Sequence, residues 1–438
     1  MYFMDLRGFT NALGGFEPRR SMGKIEKIIG MTVEASGPEC NIGDVCRVYK
    51  KGSEKDFIFA EAVGFQADKV LLMPYTDIEG IGPGSIVDNT GKQLMVKTGN
   101  SLIGRIVDAI GNPLDNGGEI NYTDEMPISG IPVNPLARPK ISEPLELGVK
   151  AIDGLCTLGK GQRIGIFAGS GVGKSTLMGM IAKKVKADLN VIALVGERGR
   201  EVREFIENDL GEEGMKRSVV VVATSDQPAM MRSKCPQTAT AIAEYFMQQG
   251  KDVLLMMDNL TRFAMAKRDV GLSIGEPPIM RGYTSSIYND MPKLLERAGC
   301  FEGGSITGIY AVLVEGDDTN EPISDTVRGI IDGHIVLSRK LAAQNHYPAI
   351  DILPSISRLM SIICDKGHKD AAAKLRNLLA LYNSNYDLIA IGAYKSGTNP
   401  KLDEAISKID KINGFLMQAT DEAFDLEDTI RLLKEAVK

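Results

Sequence analysis

The sequence predicts an α/β protein: a parallel sheet with helices on its faces, preceded by a small N-terminal β-barrel and followed by a C-terminal helical domain. Three observations carry this. Short Val/Ile-rich runs broken by turn residues fill the first quarter, apolar strands alternate with longer helical stretches from Arg163 onward, and beyond about Met360 the strands cease. At 438 residues the chain also exceeds what one hydrophobic core usually serves.

The barrel is assigned to residues 23–96. Its runs, KIIGMTVEASG, DVCRVYK, KVLLMPY and SIVDNTGKQLMVKTG, have the spacing of short antiparallel strands. Six prolines (Pro113, Pro127, Pro132, Pro135, Pro139, Pro144) then mark residues 111–144 as an extended linker and domain boundary. The linker is grouped with the α/β domain, assigned to 97–360. The segment 1–22 carries only a weak amphipathic pattern (Phe3, Leu6, Phe9, Leu13, Phe16) interrupted by glycines, and reads as a partner-binding segment or a frayed end.

Within the α/β domain, Arg163 to Phe167, Asn190 to Val195, Ser218 to Ala223, Asp252 to Met257 and Ser305 to Val314 read as strands buried on both faces. Ser175 to Val185, Arg200 to Asp209 and Thr238 to Gln249 read as the helices between them, as a parallel sheet requires. The helical domain is assigned to 361–438, with apolar residues at helical spacing in Lys369 to Tyr382 and Asp421 to Ala436.

Composition excludes several classes. The 51 basic and 57 acidic residues leave a net charge of −6, which opposes a broad grip on nucleic acid. The longest apolar runs, such as Val253 to Met257, fall far short of the ~20 residues a membrane-spanning helix needs. The start lacks the basic and apolar regions of a secretory signal, so a cytoplasmic location is expected. Contact with a membrane would be peripheral at most, through Arg19, Arg20, Lys24 and Lys27, which better suit a solvated face. Six scattered cysteines and three histidines offer no metal-ligand spacing and read as reduced thiols.

The chemistry enters at AGSGVGKST, Ala168 to Thr176. The segment joins a strand to a helix, the context a phosphate-binding loop needs. Gly169, Ser170, Gly171, Val172 and Gly173 let backbone N–H groups curl around phosphate oxygens at a helix N-terminus, and Ala168 in place of the usual first glycine is a mild departure. Lys174 should reach the β- and γ-phosphates of ATP; Ser175 should ligate Mg²⁺, with Thr176 beside it. A carboxylate for the magnesium is offered by Asp258, ending the strand VLLMMD, although an Asp there also serves as a helix cap. Hydrolysis further needs an oriented water. The strand Asn190 to Val195 delivers GERGRE at its carboxyl end, where ligands of such sheets bind, making Glu197 the candidate for polarising water and Arg198 for stabilising charge at the γ-phosphate. Arg200, Glu201 and Arg203 read as a solvated stretch with ion pairs.

Together AGSGVGKST, GERGREVREFIENDLG, VATSDQPAMMR, LLMMDNLTRFAMAKRDVGLSIGEPP and GSITGIYAVLVEGDDTNEP resemble the flagellar protein-export ATPases, the injectisome secretion ATPases and, more distantly, the catalytic subunits of rotary ATP synthases. The resemblance covers nearly the whole chain. It implies a β-barrel, a RecA-like P-loop domain and a helical domain, with six subunits in a ring. It also implies the roles of catalytic glutamate for Glu197, of the arginine that follows for Arg198 and of the Walker B aspartate for Asp258. Within NHYPAIDILPSISR it implies an adenine-stacking Tyr347 and an arginine finger, Arg358, which residue type and spacing alone do not assign. Rotary synthases place the glutamate and the finger on different subunits. Here one chain carries both, so a homohexamer follows.

The implied partners are a central stalk, stator-like regulatory proteins, export chaperones and cargo. GLSIGEPP and VEGDDTNEP, with Asp317 and Asp318, resemble the loops facing the stalk or pore, and read otherwise as ordinary polar loops. Export of flagellar proteins through a type III secretion apparatus is the leading reading, and secretion by a virulence injectisome the alternative. A hexameric RNA-dependent helicase is disfavoured by the acidic balance and the missing Trp; a non-catalytic regulatory subunit is disfavoured by Glu197.

Overall fold

A computed structural model describes residues 21–53, 55–130, 134–314 and 321–438. The segment 1–20 and the acidic pair Asp317 and Asp318 lie outside the described residues. The chain divides into two compact units, residues up to Met95 with Val270–Glu276, and Val96–Asp269 with Pro277–Lys438.

The first unit holds a closed six-stranded barrel: β1 (Met22–Ile29), β2 (Thr32–Ser36), β3 (Asp44–Tyr49), β4 (Phe57–Gln66), β5 (Lys69–Pro74) and β6 (Ile86–Gln93), in the order β1-β2-β5-β4-β3-β6. Closure leaves no free sheet edge. Alternation sends Ile25, Val33, Ala35, Cys46, Val48, Ala60, Leu72 and Val87 into its core. The sequence signal missed β4, whose FIFAEAVGFQ carries aromatic residues that remain partly exposed.

The second unit is organised by a nine-stranded sheet. Its strands are β7 (Ile106–Asp108), β8 (Arg163–Ala168), β9 (Leu189–Val195), β10 (Ser218–Ala223), β11 (Asp252–Asp258), β12 (Gly304–Leu313), β13 (Gly333–Leu337) and β14 (Ile350–Ser357), in the order β14-β13-β8-β12-β11-β9-β10-β7, with Gly299–Phe301 paired to β12. All neighbours on that path are parallel except β13 and β14. Strands β9 and β10 are buried at every residue, which is why they read as unbroken apolar runs. Because β7 pairs with β10, the chain is already inside this unit before the proline-rich stretch begins.

Helix α1 (Lys150–Leu155) precedes β8, and α2 (Lys174–Lys184) follows it. The expected helix over Arg200 to Asp209 is an α-helical turn, Gly199–Glu204, running into a π-helical one, Phe205–Leu210. Helix α3 spans Ala229–Gln248, nine residues earlier at its start than the pattern indicates. Pro236 lies inside this helix, where burial of Ala229, Met230, Met231 and Cys235 overrides the local penalty. Helix α4 (Leu260–Ser273) follows β11.

The C-terminal helices α5 (Lys366–Ser384), α6 (Pro400–Leu416) and α7 (Leu426–Ala436) pack Leu375, Leu379, Ile412, Phe415 and Leu433 into one core with Ile164, Leu177 and Leu254 of the sheet unit. Among the described residues no helix is long and apolar enough to cross a membrane, and all six cysteines are free.

Candidate active site

The site forms where β8, β9 and β11 end. Ala168 closes β8, and the loop that follows turns through Gly171 and Gly173, whose φ of 76° and 87° are left-handed values that favour glycine. A Cβ at Gly171 would meet nothing within 4 Å, so the loop faces open space of the kind a phosphate group fills. Val172 is the loop's anchor, buried in the core at 2% exposure, and Gly173 caps α2. The first turn of α2 therefore presents Lys174, Ser175 and Thr176 beside its unpaired N–H groups. A Cβ on Gly169 would lie 2.8 Å from the Arg339 guanidinium, so a side chain there would displace that flexible arginine end.

Strand β11 brings Asp258 beside this loop. The Lys174 ammonium donates a hydrogen bond to Asp258 Oδ1 and lies 3.8 Å from Glu197 Oε1. Glu197 follows β9, its backbone fixed by the Ser225 N–H, which donates to its carbonyl. Its carboxyl also accepts from Asn259 Nδ2 at 2.8 Å and lies 3.7 Å from Arg262 Nε. The Glu197 side chain is only 16% exposed. Burial, and then the neighbouring Asp258 charge, push its carboxyl up to about 7, against the pull of Lys174. The Glu201 carboxyl is held low, first by its hydrogen bond with Glu197. One carboxyl is thus poised to exchange a proton near neutrality beside another kept ionised.

Ser175 and Asp258 supply hard oxygen donors, a hydroxyl and a carboxylate, and this donor set fits Mg²⁺ held together with phosphate oxygens. No cluster of three or more His, Cys, Asp or Glu side chains suited to a metal exists among the described residues.

Two predicted residues stand apart from this group. Arg198 is turned outward, its side chain 75% exposed and 3.5 Å from Glu201. Arg358 is exposed at the opposite edge of the sheet. Strand β14 runs antiparallel to β13, pairing Ile350 with Leu337 and Ser357 with Gly333, while Leu337 pairs with Ala168. Tyr347, just before β14, is therefore at the phosphate-loop edge, where its ring would lie 3.5 Å from a Cβ on Gly173. Arg358, just after β14, donates its N–H to the Asp332 carbonyl beside the start of β8. The six residues of β8, at roughly 3.3 Å each, separate the two edges by about 17 Å, beyond the reach of an arginine side chain.

Sequence reasoning missed Asn259, Arg262 and Arg339. The first two follow Asp258 in NLTR, and the signal that could have flagged them is helical spacing from a strand-end carboxylate. Arg200 and Arg203 do form exposed pairs, with Glu204 and Glu207.

A phosphate-binding loop on a parallel sheet, a strand-end aspartate, a buried glutamate and an attached barrel define a P-loop ATPase of the ATP synthase type. Residues 148–357 match the ATP synthase alpha/beta family nucleotide-binding domain, residues 25–91 that family's beta-barrel domain, and residues 364–435 the T3SS EscN ATPase C-terminal domain. The chain is 58% identical to the flagellum-specific ATP synthase of Bacillus subtilis over 94% of each chain, and 48% identical to the type 3 secretion system ATPase of Xanthomonas euvesicatoria over 94% of this chain and 93% of that one. The assembled ATPase EscN of the enteropathogenic E. coli type III secretion system superposes with a TM-score of 0.90 at 46% identity, covering 95% of this chain and all of that one. The chain belongs to the family of flagellum-specific ATP synthases and type 3 secretion system ATPases.

Proposed function

We propose that this chain hydrolyses Mg-ATP as a homohexameric ring, and that turnover drives export of flagellar proteins through a type III secretion apparatus. The observation that carries the ring is the placement of Tyr347 and Arg358 at opposite ends of β14. A chain that binds the nucleotide at one edge and offers its free arginine at the other is completed by a neighbour in the same orientation. The export reading is supported by the full-length likeness to a flagellum-specific ATP synthase.

In this reading the γ-phosphate draws Lys174 away from Asp258, and Tyr347 stacks on adenine. Asp258 and Ser175 would hold Mg²⁺, which supplies positive charge to the β- and γ-phosphate oxygens. Glu197 orients the attacking water and takes its proton, a role suited to a carboxyl near neutrality. Arg198 swings from Glu201 toward the γ-phosphate. Arg358 of the adjacent subunit stabilises charge in the transition state.

The solved EscN assembly with its central stalk EscO supports a stalk partner for this ring. Stator-like regulators, chaperones and cargo complete the partners, nucleic acid is not among them, and the ring works in the cytoplasm with peripheral contact at the membrane's inner face. Secretion by an injectisome is the second reading, favoured by the 48% identity to the Xanthomonas protein. Deleting the gene decides: lost motility supports the first, and lost effector secretion with intact motility the second.

The mechanism is tested by ATPase activity per subunit over a wide range of protein concentration, beside Arg358→Ala. Wild-type activity should climb with assembly, and the variant should fall by ~10³-fold or more. Activity independent of both concentration and Arg358 overturns the shared site.

A further inference from the structure

Asn259 is 1% exposed and bonded at both ends of its side chain. Its Oδ1 accepts the Arg262 N–H at 2.9 Å and its backbone carbonyl accepts the Phe263 N–H at 3.3 Å, so it caps α4. Its Nδ2 donates to Glu197 Oε1 at 2.8 Å. A cap needs only the oxygen. Serine, threonine or aspartate would serve α4 equally well, and none of them offers an N–H₂ group at that distance.

Of the other groups around Glu197, Glu201 shares a hydrogen bond with its carboxyl, and the two cations are less closely set. Lys174 and Arg262 stand 3.8 Å and 3.7 Å from the same Oε1, both longer than a hydrogen bond. Lys174 must also leave for the phosphates in the proposed cycle. Asn259 is neutral, rigidly seated and independent of the nucleotide, so its bond persists when the cation moves.

We infer that Asn259 is a positioning residue: it anchors one oxygen of Glu197 from the start of α4 and so fixes the direction in which the carboxyl meets water. This rests on Glu197 as the water-orienting group, and adds the requirement that its aim is set by the strand-end amide. The Asp258–Asn259 pair then serves two elements of the site, Asp258 facing the phosphate loop and Asn259 the water side.

The test compares wild type, Asn259→Ser, Asn259→Asp and Glu197→Gln as full-length chains. Asn259→Ser keeps a capping oxygen without adding charge; Asn259→Asp keeps the cap and restores side-chain length. The expected result is a kcat lowered ~10- to 100-fold in both, with KM for ATP and the affinity for a fluorescent nucleotide within about threefold of wild type and, in Asn259→Ser, which adds no charge, the thermal midpoint retained. Restoration of kcat by either capping residue would show that the cap alone matters and overturns the inference. In Asn259→Ser, a fall in kcat matched by an equal loss of nucleotide affinity or of folding also overturns it. If Glu197→Gln retains turnover, the underlying reading of Glu197 fails; if Glu197→Gln is inactive while Asn259→Ser is fully active, only the present inference fails.

Discussion

Replacing Glu197 with Gln should make the nucleotide-free protein more stable, and increasingly so as pH rises. The Glu197 carboxyl is pushed from an ordinary 4.5 up to about 7 by burial and by Asp258. Below about pH 4.5 it is protonated in folded and unfolded chains alike and costs nothing. Between 4.5 and 7 the unfolded chain ionises freely while the folded one resists, so stability falls, and above 7 the cost is constant. At about 1.4 kcal/mol per tenfold change in ionisation constant, the ceiling is about 3 kcal/mol, of which about 2 kcal/mol develops between pH 5 and 7.5. Gln has the same shape and accepts from Asn259, but does not ionise. The advantage of Glu197→Gln should therefore widen by about 2 kcal/mol across that range, a few degrees in thermal midpoint for a unit of this size. Buried carboxyls away from Glu197, Asp153 among them, are common to both proteins and cancel. The assay is thermal and urea unfolding of both proteins without nucleotide, in chelator. An advantage that stays constant with pH, or shrinks, refutes the reasoning.

Lys174→Met should lower ATP affinity more than ~10²-fold in a fluorescent-nucleotide titration, because the phosphates lose their cation; wild-type affinity would remove Lys174 from the site. Arg376→Met should cost about 3 kcal/mol in urea unfolding. Its guanidinium joins α5 to the carbonyls of Leu155 at 2.9 Å, Ser355 at 3.0 Å and Ile352, and truncation leaves all three without that donor. An unchanged midpoint would mean water replaces it. Gly179→Ala on α2 sets a Cβ 2.6 Å from the Asp209 carbonyl oxygen and should destabilise by about 1–3 kcal/mol, read as a lowered thermal midpoint. No change would show that the π-helical turn yields without cost.

Patterns that local physics imposes were legible in the sequence. Strands buried on both faces read as apolar runs, and β10 runs over the very residues, Ser218–Ala223, that its composition marks. The phosphate loop was legible because the φ values of Gly171 and Gly173 favour glycine, and because Lys174 and Ser175 must follow at a fixed offset. The carboxyl ends of β9 and β11 likewise point to Glu197 and Asp258 before any coordinates are drawn.

Other features depended on neighbours distant in the chain. Helix α3 runs through Pro236 because tertiary burial outweighs a local penalty. The short β13 and the half-exposed β14 carry little periodic signal, being defined by pairing rather than composition. Asn259 beside Asp258 looks like an ordinary cap until β9 folds next to β11 and brings Glu197 to its amide. Residue types and their offsets determined that the chain has a phosphate loop, a strand-end aspartate and a glutamate just past the neighbouring strand. Only the tertiary structure decided which groups meet, since the antiparallel turn of β14 puts Tyr347 at the loop and Arg358 a strand length away, and strand order is set by contacts that no local stretch encodes.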